Sequence, residues 1–347
     1  MNKQIGNFFV VICFLFLSTS QSQELNEGFA TNTKSDIFYD QEILSIKMTL
    51  PLKEIKNDTN DSTYIDADLG YKLTDETWQN LKVDIRRRGN FRLRYCYFPP
   101  LKIKVKKKDS KDTPFEDHKN LKMVLPCMIQ NDNNDYVIKE YLIYKMFEII
   151  SPYHFKTRLL DIELEEDRGD KSKVFNVKGF LIEDDKNVAK RLYGKIYERN
   201  MHPLNQEPIS SIRTALFQYM IGNSDFSHGY QHNAIVVYIN KAMVPIPYDF
   251  DMSGFVNASY AAESIQVASV TDRKYRGFVR DKNLFEQVRQ EYINNKEKIL
   301  AVLDEHAPFF DDPEALNTAK AYILSFYDII VNNRKFKSEI LDQARTN

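Results

Sequence analysis

The sequence predicts an α+β protein, with a β-rich N-terminal lobe followed by an α-rich C-terminal lobe. Three observations predict this. Up to about residue 185 most apolar residues alternate with polar ones, as in half-buried strands. Beyond it they recur mainly at helical spacing. A single strongly periodic helix, Tyr136 to Ile150, interrupts the β-rich part.

The elements follow in order. Lys3 and the apolar run Phe8 to Leu17 form an export signal too short to span a bilayer, with cleavage expected between Ser20 and Gln23. Residues 1–23 are therefore read as a signal peptide and 24–38 as a polar, flexible leader. The β-rich lobe is placed at 39–185. Its strands are expected at Glu42 to Leu52, Trp78 to Arg88, Pro100 to Lys106, Leu121 to Leu125, Leu159 to Glu165 and Val174 to Glu183. In the third of these, Leu101, Ile103 and Val105 share one face, and Lys102, Lys104 and Lys106 share the other. Pro152 ends the helix at Ile150. The α-rich lobe is placed at 186–347. It begins with a helix over Ile209 to Ile221 that stops at Gly222-Asn223, a suitable C-terminus. A hairpin around Asn240-Lys241 joins Ala234 to Ile239 and Met243 to Ile246. Helices are expected at Phe285 to Glu305, Pro313 to Asn332 and Ser338 to Ala344.

The charge is nearly balanced, 48 Lys and Arg against 49 Asp and Glu. That argues against general binding of nucleic acid. The basic residues are nonetheless clustered: Arg86, Arg87, Arg88, Arg92 and Arg94, then Lys102, Lys104, Lys106, Lys107 and Lys108. This density suits either a solvated strand face or a phosphate-bearing ligand. No segment after the signal is long and apolar enough for stable membrane insertion. Cys96 and Cys127 are the two cysteines beyond the signal, and both border strands of one lobe. Export favours their pairing as a disulfide.

The most informative stretch runs from Gly222 to Asn233 and contains Asp225. After the hairpin it is followed by Asp249-Phe250-Asp251. Phosphoryl transfer needs a carboxylate to orient the attacking hydroxyl and oxygen ligands that hold a metal ion against nucleotide phosphates. Asp225, Asn233 eight positions on, and a further aspartate beyond the hairpin supply those parts. Singly, each could be a cap or a turn residue; their order around a hairpin is what points to chemistry.

These blocks resemble the spore-coat protein H (CotH) kinase-like superfamily, in its exported bacterial branch. Arg88-Gly89-Asn90, the lysine-bearing strand Pro99 to Lys104 and the helix beginning Lys139-Glu140-Tyr141 also match, so the similarity covers about residues 80–262. The resemblance implies a two-lobed atypical kinase-like fold and an ATP-dependent kinase, with Mg²⁺ or Mn²⁺, acting on Ser or Thr of an exported protein in a secreted or periplasmic setting. It implies Asp225 as the catalytic residue. Asn233 and Asp249 become metal ligands, with Asp251 sharing or replacing Asp249. Arg88 and Asn90 stand where a glycine-rich phosphate loop is missing. Lys102 or Lys104 is expected at the phosphates, with Glu140 as the ion-pair partner. AMP transfer by the same fold and a non-catalytic envelope scaffold are the competing readings.

Overall fold

The computed structural model describes residues 36–39, 42–73, 77–89, 92–130, 132–261 and 268–346. The signal segment, the leader up to residue 35 and Asn90 lie outside the described residues. Alternation sets the first layer. In β1 (Leu44–Leu50) Leu44, Ile46, Met48 and Leu50 are buried while the residues between them are partly or fully exposed. β2 (Ile65–Lys72) buries Leu69, Gly70 and Tyr71 in a row and β5 (Asn120–Val124) is buried from Leu121 to Val124, but the alternating pattern recurs in β3 (Trp78–Arg87) and β4 (Leu101–Val105). It appears again in β6 (Thr157–Asp167) and β7 (Ser172–Glu183). Leu81, Val83, Ile85, Leu101, Ile103, Leu121, Met123, Leu160, Ile162 and Leu181 form one continuous core with the apolar residues of β1.

These strands close into a seven-stranded barrel in the order β1-β2-β3-β4-β5-β7-β6, with β6 returning to β1. Every pairing is antiparallel except β1 with β6, which run parallel from Leu44 opposite Leu160 to Leu50 opposite Glu166. Short helices decorate the barrel: α1 (Leu52–Asp58), α2 (Arg92–Tyr95) and α3 (Lys107–Ser110). Glycine is required at Gly179 of β7, where a Cβ would meet the Ile162 side chain at 2.6 Å and the Val124 carbonyl at 2.8 Å.

Helix α4 (Asp132–Ile150) packs on the outside of β6 and β7. Its residues are buried on nearly every face, because it is covered on both sides. Tyr141 and Tyr144 meet Phe180 of β7, while Phe147 meets Phe217 of α6 (Pro208–Met220). Asp184 caps α5 (Asp185–Arg191) directly after β7. A second core joins α4, α6 and the three-stranded sheet of β8 (Lys195–Ile196), β9 (Ala234–Ile239) and β10 (Ala242–Pro247). It extends through α7 (Lys282–Asn294), α8 (Lys296–Glu305), α9 (Pro313–Ile330) and α10 (Asn333–Phe336).

The closed barrel corrects the expected two-lobed atypical kinase-like fold. The β-rich N-terminal part and the helix-rich C-terminal part are present, but the parallel β1–β6 contact turns what was expected as a lobe sheet into a ring. Strands β1 and β6 are more than a hundred residues apart, and their partnership leaves no local trace in either segment. The expected single helix over Phe285 to Glu305 is two. Asn295 ends α7, and its side chain donates to the Glu291 carbonyl at 2.8 Å in competition with the helical ladder. Among the described residues no helix is long and apolar enough to cross a membrane.

Candidate active site

Two C-terminal blocks are tied into one unit. Gly222 closes α6 at φ +63°, and the following Asn223 amide donates to the Gln218 carbonyl at 2.8 Å. That sharp exit starts the loop carrying Asp225, whose own amide donates to Asn223 Oδ1. The Tyr248 amide donates to the Asn233 carbonyl at 3.1 Å, and the Gly254 amide to the Gly222 carbonyl at 3.0 Å. These bonds fasten the segment after β10 against the Asp225 loop. Phe250 is fully buried against Tyr144 and Phe217, so it anchors the segment and leaves an aspartate on either side.

Asp225 is held at both carboxylate oxygens. His232 Nε2 lies 3.0 Å from Oδ1, and Asn233 donates Nδ2 to Oδ2 at 3.1 Å and to the Asp225 carbonyl at 2.7 Å. The amide nitrogen of Asn233 is thus committed, which leaves Oδ1 as the atom able to face a cation. Asn233 and Asp249 both adopt left-handed backbone, φ 52° and 63°. That conformation costs on the order of 1 kcal/mol or more outside glycine, and it clusters at functional sites. The Asp249 amide donates to the Tyr144 hydroxyl oxygen at 2.9 Å, which ties the second block to α4.

Asp251 is buried, and its Oδ2 has no hydrogen-bond partner among the described residues. Burial first, and then the neighbouring Asp249, push its carboxyl up to about 6, against the pull of Arg92. Arg92 Nε lies 3.9 Å from that oxygen and is likewise without a hydrogen-bond partner among the described residues. Its Nη2 donates to the Leu125 carbonyl at 2.5 Å. Glu140 is buried 4.0 Å from Arg92 Nη1, and burial followed by Asp251 raises its carboxyl well above the ordinary range. Burial works against the charge of this arginine, but the fields of Tyr260, Asp251, Glu140 and Asp249 around it hold its guanidinium up.

The disulfide expected from the sequence is present. Cys96 and Cys127 are joined across 31 residues with Cα atoms 4.4 Å apart. Together with hydrogen bonds from the Tyr97 and Phe98 amides to the Cys127 carbonyl, it fastens the turn bearing Arg92 to the segment before α4.

The basic residues divide. Arg86 pairs with Asp61, and Lys104 and Lys106 pair with Asp84, so these charges are met along the barrel's outer face. Lys102 lies 3.5 Å from Asp184 rather than against Glu140. The expected Lys102–Glu140 pair is therefore not formed, and Arg92 stands beside Glu140 instead. The lysine buried on this face is Lys122, directly across from Lys102 on β5. It lies 2.5 Å from Asp185 and 4.5 Å from the centre of the Tyr248 ring. Burial lowers its pKa, and Arg88 lowers it further. Arg88 acts electrostatically on Lys122, Glu140 and Tyr144, and its Nε is buried without a hydrogen-bond partner among the described residues.

The structure therefore brings together Asp225, Asn233, Asp249, Asp251, Glu140 and Arg88, and it turns Lys104 away. Sequence reasoning assigned no role to Lys122, His232 or Tyr144. The signal for Lys122 was a single cation inside the apolar run Leu121 to Leu125. Among the described residues no three His, Cys, Asp or Glu side chains form a ready-made metal-binding group. The chain matches no family model and no curated protein.

Proposed function

We propose that this protein is an exported ATP- and metal-dependent phosphotransferase acting on protein Ser or Thr, with Asp225 as its catalytic residue. The observation that carries the reading is the buried Asp251 carboxylate. One of its oxygens has no hydrogen-bond partner among the described residues and meets Arg92 at 3.9 Å, its pKa is raised, and it lies beside Asp249 and one loop from a doubly held Asp225. A divalent cation supplies the charge that this acidic group lacks. Two carboxylates and the Asn233 amide suit Mg²⁺, which takes the rest of its ligands from water and phosphate oxygens. The resemblance to spore-coat protein H kinases now rests on these residues alone, not on the fold.

The chain's own residues divide the work. His232 and Asn233 fix the Asp225 carboxylate, which accepts the proton of the acceptor hydroxyl as its oxygen attacks the γ-phosphorus and ADP leaves. Asn233, Asp249 and Asp251 would hold the metal ion, whose bound charge offsets that of the phosphate oxygens. Arg88 and Lys122 provide phosphate-binding donors on the barrel side. The Cys96–Cys127 disulfide supports an oxidising, extracytoplasmic setting.

Incubation with γ-labelled and α-labelled ATP tests the reading. Label from the γ position on protein is the expected result. Label from the α position assigns AMP transfer, and neither label points to a scaffold. Asp225→Ala should abolish transfer while Mg-ATP still binds. Asn233→Ala and Asp249→Ala should lose both transfer and the metal dependence of binding. Full transfer by Asp225→Ala overturns the assignment.

A further inference from the structure

A cleft of about 440 Å³ lies behind the loop that carries Asp225, within the size range of small-molecule sites. Met201, Ala215, Phe226 and Phe278 give it apolar surface, and Arg276, Arg345 and His228 give it polar groups. The two guanidiniums are held in place without being neutralised. Arg276 Nη1 donates to the Ser224 carbonyl, and Arg345 Nη2 donates to the Arg276 carbonyl. Arg345 stacks on Phe278 at 4.3 Å, and Arg276 lies 5.2 Å from the Phe226 ring centre. Among the described residues neither forms an ion pair with a carboxylate, and Asp225 acts on Arg276 only through its longer-range field. Burial lowers the pKa of both guanidiniums, and Arg276 lowers that of Arg345 further. Two neighbouring cations in a partly apolar cleft repel one another, and each keeps donors uncommitted.

His228 forms part of the cleft wall without adding to its charge. It is 6% exposed, lines the same cleft, and its Nε2 has no hydrogen-bond partner among the described residues. Burial first, then Arg345 and Arg276, push its imidazole down to about 3. A neutral ring adds no third charge beside the two guanidiniums.

We propose that this cleft binds a small amphipathic anion, a carboxylate or phosphate ester on an apolar body. The anionic oxygens lie between Arg276 and Arg345, and the apolar body lies against Phe226 and Phe278. The inference does not depend on the phosphotransfer reading, because none of these three polar side chains belongs to the nucleotide side. It does touch that region mechanically, since Arg276 also holds the carbonyl next to Asp225.

Calorimetric titration of the disulfide-intact protein at low salt tests it, with benzoate, hexanoate, phenyl phosphate, benzamide and inorganic phosphate as probes. Benzoate, hexanoate and phenyl phosphate should saturate with Kd on the order of 1 mM, as expected of ligands of about ten heavy atoms. Benzamide, which lacks the charge, and inorganic phosphate, which lacks the apolar body, should bind at least about tenfold more weakly. Whether benzoate or phenyl phosphate binds tighter distinguishes a carboxylate head from a phosphate head. Arg345→Gln should weaken the anions at least about tenfold and leave benzamide unchanged. Three results would each overturn the proposal: no saturation by any anion up to about 10 mM, benzamide binding as well as benzoate, or phosphate binding as well as phenyl phosphate. The probe series on the unmodified protein decides the matter even if Arg345→Gln does not fold.

Discussion

Lys122 and Lys102 face the same way on neighbouring strands, yet only Lys122 is covered, by Tyr248 and Phe155. A cation partly stripped of water gains more from a phosphate oxygen than an exposed one does. Lys122→Ala should therefore weaken Mg-ATP binding by tenfold or more, and Lys102→Ala much less, as read from nucleotide-dependent thermal shifts. Equal losses would return Lys102 to the site. Asp251 makes a separate prediction. Its native carboxyl titrates near 6 against an ordinary value of 3.8. Between those values the native state holds the proton more tightly than the unfolded chain. Stability therefore falls as pH rises through that window, by roughly 3 kcal/mol. Asp251→Asn should raise the melting temperature at pH 8, leave it nearly unchanged at pH 4, and lose stabilisation by Mg-ATP. Melting curves at the two pH values check this. The aspartates were legible in the sequence because loop, hairpin and spacing sit within thirty residues. Lys122 was not, because the side chains that bury it arrive from distant segments.

At the scale of elements, the disulfide does more than join two loops. It holds α2 against the segment leading into α4, and so fixes Arg92 beside Glu140 and Asp251. Closing a loop of 31 residues contributes about 3 to 4 kcal/mol on chain-entropy grounds. The double variant Cys96→Ala, Cys127→Ala should lose about that much in urea unfolding and also bind Mg-ATP more weakly. Thiol labelling of the denatured, unreduced protein should find no free Cys96 or Cys127. Strands β3 to β7 and helices α4, α6 and α9 were legible because their periodicity is local. Strand β2 and helices α1 and α5 were not: β2 is interrupted by Asp66, Asp68 and Gly70, and the two helices are single short stretches of seven residues. The division of the expected Phe285 to Glu305 helix turned on one asparagine whose side chain competes with its own backbone.

Over the whole molecule, buried histidines act against Asp251 in the response to acid. Burial holds His154 down to about 4 and His228 to about 3, and it also lowers His306. The unfolded chain takes up protons near pH 6.5 that these rings refuse. The stability they contribute is thus present above pH 6.5 and lost as pH falls toward their native values. His228 alone withdraws roughly 3 kcal/mol by pH 4. Asp251 gains stability over part of the same range, so between pH 7 and pH 4 the urea midpoint of His228→Gln should fall less than that of the parent protein, and that of Asp251→Asn should fall more. The barrel, which no local pattern announced, also dictates how the chain is delivered. Synthesis or export that starts at the N-terminus first presents β1 to β5 as an open sheet with free edges at β1 and β5. The β6–β7 hairpin then enters between them as a keystone, with β7 pairing to β5 and β6 to β1. Both edges vanish in that single insertion, so a chain cut short before residue 183 leaves the outer backbone groups of β1 and β5 without strand partners.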